Sequence, residues 1–478
     1  MGNRRGQRRL IAVAAVLTLI AAVTAAVAWA GVKGAPGIGD PLFPRAGNGG
    51  YEVDHYTLRL RYAPDTDRLN GRTTIDATAT EALSRFDLDL DDAMKVKSVS
   101  VDGVEAKSFK QTDVELVIRP ERRLQVGVRF SVEVTYGGVP ETRAVRRMPI
   151  GFVHSGAGAW VANEPNGAST WYPSNDHPSD KATFDIAVTV PKELRVVCNG
   201  ELVSNKVHGS KRTAVWEVSE PMATYLTTAT IGRMRLLTPK VAGHPSVFAF
   251  AEDADEGNDP QRMIEVQGQI LKLFQKRLGP YPFKSTGGIV YGPVDGVGYA
   301  LETQNRPLYG YDPSGGNAEV LAHEVAHQWF GDSLTPKTWT DTWLNEGFAT
   351  WASWLWEAER PEGHQVPLES QFAKYWPSER PTTPAGRAQW QQPMYNFTER
   401  RSMFNGNVYY RGALTLQALY DKVGEATFFR IIRSWVRDNA YGNVDTEDFT
   451  TLAEQISGED LGHFFYVWLE RPFWPHDW

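Results

Sequence analysis

The sequence predicts a multidomain β-then-α(+β) chain, an N-terminal antiparallel β sandwich or saddle followed by a mainly helical part. Three observations predict it. Apolar residues recur at every second position up to about residue 237 and at helical spacing after about residue 260. Asn-Gly, Asp-Gly and Gly-Gly pairs punctuate the first stretch, as hairpin turns do. A pair of histidines four apart lies in the second stretch, inside an apolar run. With 478 residues, 42% of them hydrophobic and 22% charged, the chain has material for two or three domains.

The strands are read from alternation over residues 56–62, 86–90, 128–136 and 184–190. Residues 261–278 carry Val266, Ile270, Phe274 and Leu278 on one face and stop at Gly279-Pro280, a helix with its terminator. Further helices are expected around the histidine pair and over 411–423, 426–439 and 446–465. Trp343, Trp351 and Trp354 recur at helical spacing and read as core.

The ends and the composition add limits. Arg4, Arg5, Arg8 and Arg9 precede an apolar run over 10–32 that ends near Ala28-Trp29-Ala30. This pattern reads as a signal peptide or N-terminal signal anchor (1–31), implying an exported protein, secreted or held at the outer face of a membrane. A Gly/Pro-rich linker (32–49), a β domain (50–245) and a helical domain (246–478) follow. A net charge of −7 without a Lys/Arg stripe excludes a nucleic-acid partner, and no partner protein is inferable. The one cysteine, Cys198, has no intrachain partner and reads as a buried strand residue.

The chemistry sits in His323-Glu324-Val325-Ala326-His327 and in Glu346 of Asn345-Glu346-Gly347. Residues four apart on a helix stack, so both imidazoles can face one ion while Glu324 stands one position round. Glu346, brought by a second helix that Asp341 is placed to N-cap, completes a His2Glu set with an open fourth position. That is the donor set of a catalytic zinc. Thr350, one turn on, is placed to hydrogen-bond a ligand histidine.

The run His323 to Gly331 and the run Trp343 to Ala349 resemble the core of the zinc aminopeptidases of the aminopeptidase N type, peptidase family M1. The resemblance extends from about residue 49 to the C-terminus. It implies a β saddle leading into a thermolysin-like zinc peptidase domain, in a short form lacking the large C-terminal helical domain of longer relatives. It also implies one zinc ion on His323, His327 and Glu346, Glu324 as general base towards a zinc-activated water, and Tyr409 of Tyr409-Tyr410-Arg411-Gly412 as oxyanion donor. Glu302 and Glu164 then anchor the free amine of a peptide substrate, with Ala300 and Leu301 beside it. The chain departs from the family's Gly-x-Met-Glu-Asn pattern: Tyr299, Leu301 and Thr303 stand where the glycine, methionine and asparagine do.

Two other readings stay open at this stage. A thermolysin-type endopeptidase would share the ligands and lack the amine anchor. A non-catalytic binding module could keep the fold, although such a module has no need of all five of His323, Glu324, His327, Glu346 and Tyr409.

Overall fold

The structure, a computed structural model, describes residues 32–156, 158–252, 259–292, 298–376 and 390–475. The leader expected over 1–31 lies outside the described residues. Val32, at the end of its apolar run, belongs to a two-residue strand paired parallel to Leu83–Asp89. Among the described residues no helix is long and apolar enough to cross a membrane.

An eight-stranded sheet forms the back of the N-terminal part. Its order is Glu201–His208, Lys211–Ala223, Lys181–Pro191, Tyr51–Ala63, Arg68–Ala79, Arg129–Gly138, Met94–Val101 and Val104–Glu105. Alternation builds it: Ala182, Phe184, Ile186, Val188 and Val190 are buried while the residues between them are half-exposed. All pairs are antiparallel save one, the central Tyr51–Ala63 with Lys181–Pro191. Those two strands are far apart in sequence, so no hairpin turn constrains their direction.

A five-stranded sheet lies closer to the site, in the order Arg143–Val145, Met148–Ser155, Gly158–Ala162, Ala229–Gly232 and Arg195–Cys198. Cys198 is fully buried in its last strand, and burial pushes its thiol far above the ordinary range. A third sheet, mixed, runs from Met234–Leu237 to Ala300–Leu301 and so joins the end of the β part to the helical part.

Helix α1 (Pro260–Arg277) buries Met263, Val266, Ile270 and Phe274 and is capped by Asp259, which accepts from Arg262 N at 3.0 Å. Helices α2 (Ala318–Ala326) and α3 (Trp343–Glu359) pack together and carry the histidine pair and Glu346. Trp343, Trp351 and Trp354 are buried, as their spacing implies.

Two local expectations need correction. Asp341 does not cap α3: the 3-10 turn Trp339–Asp341 runs directly into the helix through Thr342, which is itself helical. The Asp341 carboxylate instead accepts from the Thr446 amide (3.1 Å) and hydroxyl (2.6 Å), tying the start of α3 to a later helix. The continuous helix expected over 446–465 breaks after Thr446–Ser457, where Gly458 takes the left-handed conformation, and resumes at Gly462–Phe465.

Candidate metal centre and its cavity

The two histidines come from one end of α2. His327 stands just past the last residue of the helix, with helical dihedrals and its amide bonded to His323 O at 3.2 Å, so the four-residue stacking survives. Its Nδ1 pairs with Phe330 O at 2.9 Å, which orients the ring and leaves Nε2 free as a donor atom. Gly331 permits this turn. At φ +121° it holds a conformation that suits glycine, and a Cβ there would stand 3.3 Å from His327 Nδ1.

The three candidate ligand atoms converge. His323 Nε2 and His327 Nε2 are 3.0 Å apart, and Glu346 Oε2 is 3.1 Å from the first and 3.4 Å from the second. Zinc with tetrahedral bonds of about 2.0–2.1 Å separates its ligand atoms by roughly 3.3 Å. The donor set and its spacing therefore fit one such ion. Thr350 Oγ1 lies 3.5 Å from His323 Nδ1, at the limit of a hydrogen bond.

Burial sets the electrostatics. It acts to raise the Glu346 carboxyl, but His327 and His323 outweigh it and hold the group down at about 2. Burial lowers His323. For His327 burial acts downward, but Glu302 and Glu346 carry it well above the usual imidazole range. Glu324 is pushed well up, chiefly by burial, with Glu302 and Glu346 adding to it and His327 opposing. Ligand atoms of Glu302, Glu324 and His327 lie within 4.8 Å of one another, so a second acidic group abuts the metal set.

One cavity collects the remaining candidates. It is lined by Glu164, Ala300, Leu301, Glu302, Glu324, Tyr409 and the three ligand residues. Glu164 follows the strand Gly158–Ala162, and the Glu164-Pro165 bond is cis. Oε1 of Glu164 and Oε1 of Glu302 are both buried with no hydrogen-bond partner in the protein. Unpartnered buried carboxylate oxygens are costly unless something cationic meets them.

The two adjacent tyrosines separate clearly. Tyr409 lines the cavity with its ring stacked 6.0 Å from that of His323, whereas Tyr410 turns outward and stacks on Tyr375 at 4.3 Å. Both lie in a single π turn, Asn407–Arg411. The next residues settle its position. Arg411 is buried and its guanidinium donates to the carbonyls of Trp468, Val467 and Arg471, and burial lowers it to about 9. Gly412 meets Gly347 of α3, where a Cβ on Gly347 would stand 2.9 Å from Gly412 Cα.

Sequence reasoning missed this glycine crossing. It also missed the apolar cavity residues Val145, Met148, Ile150 and Phe404, and Asp332, whose two carboxylate oxygens are buried without a partner. An Asp after the Trp-Phe-Gly run was visible, but nothing in the sequence marked it as buried.

Residues 52–226 match the Peptidase M1 N-terminal domain and residues 311–468 the Peptidase family M1 domain. Aminopeptidase M1-D of Oryza sativa subsp. japonica is 27% identical over 64% of this chain and 36% of its own length. "Aminopeptidase 2, mitochondrial" of Saccharomyces cerevisiae is 27% identical over 65% of this chain and 34% of its own. The chain thus spans only about a third of the length of these curated relatives. A solved structure of an M1 zinc metallopeptidase mutant from Deinococcus radiodurans, bound to a Tyr-Ser-Ala substrate, aligns with TM-score 0.81 at 28% identity, covering 92% of this chain and 99% of that one. The exported, secreted or membrane-anchored location expected from the leader is corrected by these comparisons, in which one relative is named mitochondrial; among the described residues, which leave out the leader, no helix is long and apolar enough to cross a membrane.

Proposed function

The chain belongs to peptidase family M1, and from that premise we propose that it is a zinc-dependent aminopeptidase that removes the first residue of peptides. The observation that carries the proposal is the pairing, in one cavity, of a His2Glu cluster with two buried carboxylates that lack partners. His323, His327 and Glu346 would hold the ion. Zinc would supply a water of lowered pKa and a Lewis acid for the scissile carbonyl.

The chain's own residues do the rest. Glu324 accepts the proton of the attacking water and passes it to the leaving amine. Tyr409 donates its hydroxyl proton in a hydrogen bond to the developing oxyanion. Glu302 and Glu164 take the substrate ammonium, which answers their unpartnered oxygens. Spacing supports an exopeptidase: an amine nitrogen and the carbonyl carbon of the same residue are roughly 2.5 Å apart. Glu302 and Glu324 lie within 4.8 Å, so an amine held by the first presents its own carbonyl beside the second. The β part (50–245) and the helical part (246–478) act as the two halves of the cleft.

The test compares a leucine chromogenic amide with its N-acetylated twin on zinc-loaded protein. Cleavage of the free amine alone supports the reading. Equal cleavage of both would replace it with an endopeptidase.

A further inference from the structure

The hairpin formed by Arg143–Val145 and Met148–Ser155 reaches from the N-terminal part to the rim of the catalytic cavity. Val145 is paired directly with Met148, and Arg143 with Ile150, so the register puts Val145, Met148 and Ile150 on one face. All three line the cavity, where Tyr299 and Phe404 close the same apolar wall. The cavity's carboxylates are Glu164, Glu302, Glu324 and Glu346, and each already has a place at the amine or at the metal.

The hairpin is fastened at three points. At its base the Arg143 guanidinium donates to Asp91 Oδ2 at 3.0 Å and to Asn166 O at 3.1 Å. Midway, the Tyr299 hydroxyl donates to Pro149 O at 2.5 Å. At its tip the Arg146 guanidinium donates to Arg401 O at 2.8 Å and also to Phe404 O and Asn405 Oδ1, spanning the cleft. The tip itself is unusual. Arg146 and Arg147 form a two-residue turn with φ of +48° and +75°, the primed turn that normally takes Asn and Gly. Two side-chain-bearing residues there clash with their own carbonyls. Local preference therefore does not explain an arginine at 146, whereas its three acceptors across the cleft do.

We propose that this hairpin is the wall of the pocket for the substrate's N-terminal side chain, that it selects uncharged apolar side chains, and that Arg146 is the positioning residue that holds it there. The proposal rests on the aminopeptidase reading above. An aliphatic side chain beside Val145, Met148 and Phe404 leaves water for an apolar surface. A carboxylate side chain would face Glu164 and Glu302. A lysine or arginine side chain would find no acid free of another task. Tyr299, a departure from the family's glycine, has a role in this arrangement: its hydroxyl braces the hairpin.

The experiment measures kcat and KM of the full, zinc-loaded chain on Leu, Ala, Arg and Asp chromogenic amides, with zinc content and melting temperature as controls. Wild type should favour Leu over Ala by about tenfold and over Arg and Asp by more. Met148→Ala should cut the Leu:Ala ratio of kcat/KM by about fivefold, the loss falling on the Leu amide. Arg146→Ala should raise KM for the Leu amide about tenfold while kcat moves less than threefold, with Arg146→Lys in between. Replacing Arg146-Arg147 with Asn-Gly keeps the turn and removes the latch, so it should behave like Arg146→Ala even if that single variant folds poorly. Arg147→Gly eases the turn and keeps the latch, and should match wild type. Unchanged substrate ratios in Met148→Ala and unchanged KM in the Asn-Gly variant would overturn the proposal, as would a wild type that prefers the Arg or Asp amide. A wild type that cleaves no free-amine amide would instead sink the aminopeptidase reading, and the pocket with it.

Discussion

Replacing Glu302 with Gln asks whether the cavity is built for a free amine. The side chain is 2% exposed and Oε1 has no partner in the protein. Burial is the main force raising its carboxyl. Glu164 is raised well above the usual range by burial first and by Glu302 second, so the two acids oppose each other. An arriving ammonium reverses that situation and forms a charge-assisted hydrogen bond worth about 1.5–3 kcal/mol at each carboxylate. Glutamine keeps the shape and one acceptor but loses the charge. At 1.36 kcal/mol per factor of ten, kcat/KM for the Leu amide should fall roughly ten- to a hundredfold. The N-acetylated twin should remain uncleaved. The substrate-free protein should meanwhile melt at a higher temperature, because one of two opposing buried acids is gone. Glu164→Gln in a double-mutant cycle should be coupled to it by more than about 0.5 kcal/mol, since both would hold one amine. A kcat/KM within twofold of wild type, beside the same gain in melting temperature, would refute the reasoning: Glu302 would be an ordinary buried acid.

Glu324→Gln should retain one zinc per chain by elemental analysis while losing at least about 10³ in kcat, and substantial remaining turnover would remove Glu324 from the role of base. Tyr409→Phe should lower kcat by about 10²–10³ with little effect on KM; Tyr410→Phe, stacked on Tyr375 away from the cavity, should stay near wild type in the same assay. In the β part, the Glu115 carboxyl is raised to about 8, by burial first and then by Asp87. A folded value above the unfolded 4.5 means stability that is present below about pH 4.5 and lost as pH rises through 8. Glu115→Gln should therefore match wild type in urea unfolding at pH 4 and exceed it by about 2–4 kcal/mol at pH 8.

The site was legible in proportion to how local its geometry is. His323 and His327 are related by one helical turn, so their spacing in sequence is their spacing in space. Glu346 needed only a second helix packed on the first. Glu164 and Glu302 are separated by most of a domain and came within view only through resemblance. The hairpin wall had no signal at all: Val145, Met148 and Ile150 read like any strand residues, and what distinguishes them is where Tyr299 and Arg146 pin the hairpin. Asp341 looked like a cap because its type and position suited one. The turn before α3 is already helical, and the carboxylate was drawn to Thr446, more than a hundred residues on.

The crossing of Gly347 and Gly412 shows the same limit and can be tested. Each glycine follows a functional residue closely, Glu346 in one case and Tyr409 in the other, and either alone suggests only a flexible spot. Together they let two helix backbones approach: a Cβ on Gly347 would stand 2.9 Å from Gly412 Cα, and one on Gly412 2.7 Å from Gly347 Cα. Alanine inside a helix ordinarily stabilises by about 0.5–1 kcal/mol relative to glycine. At residue 347 the sign should invert. The helix Gly412–Val423 must move outward, carrying Tyr409 away from His323, so Gly347→Ala should lower both the melting temperature and kcat while zinc content holds. A gain in stability with unchanged kcat would show that the helices have room to spare, and that Tyr409 is positioned by Arg411 and its carbonyls alone.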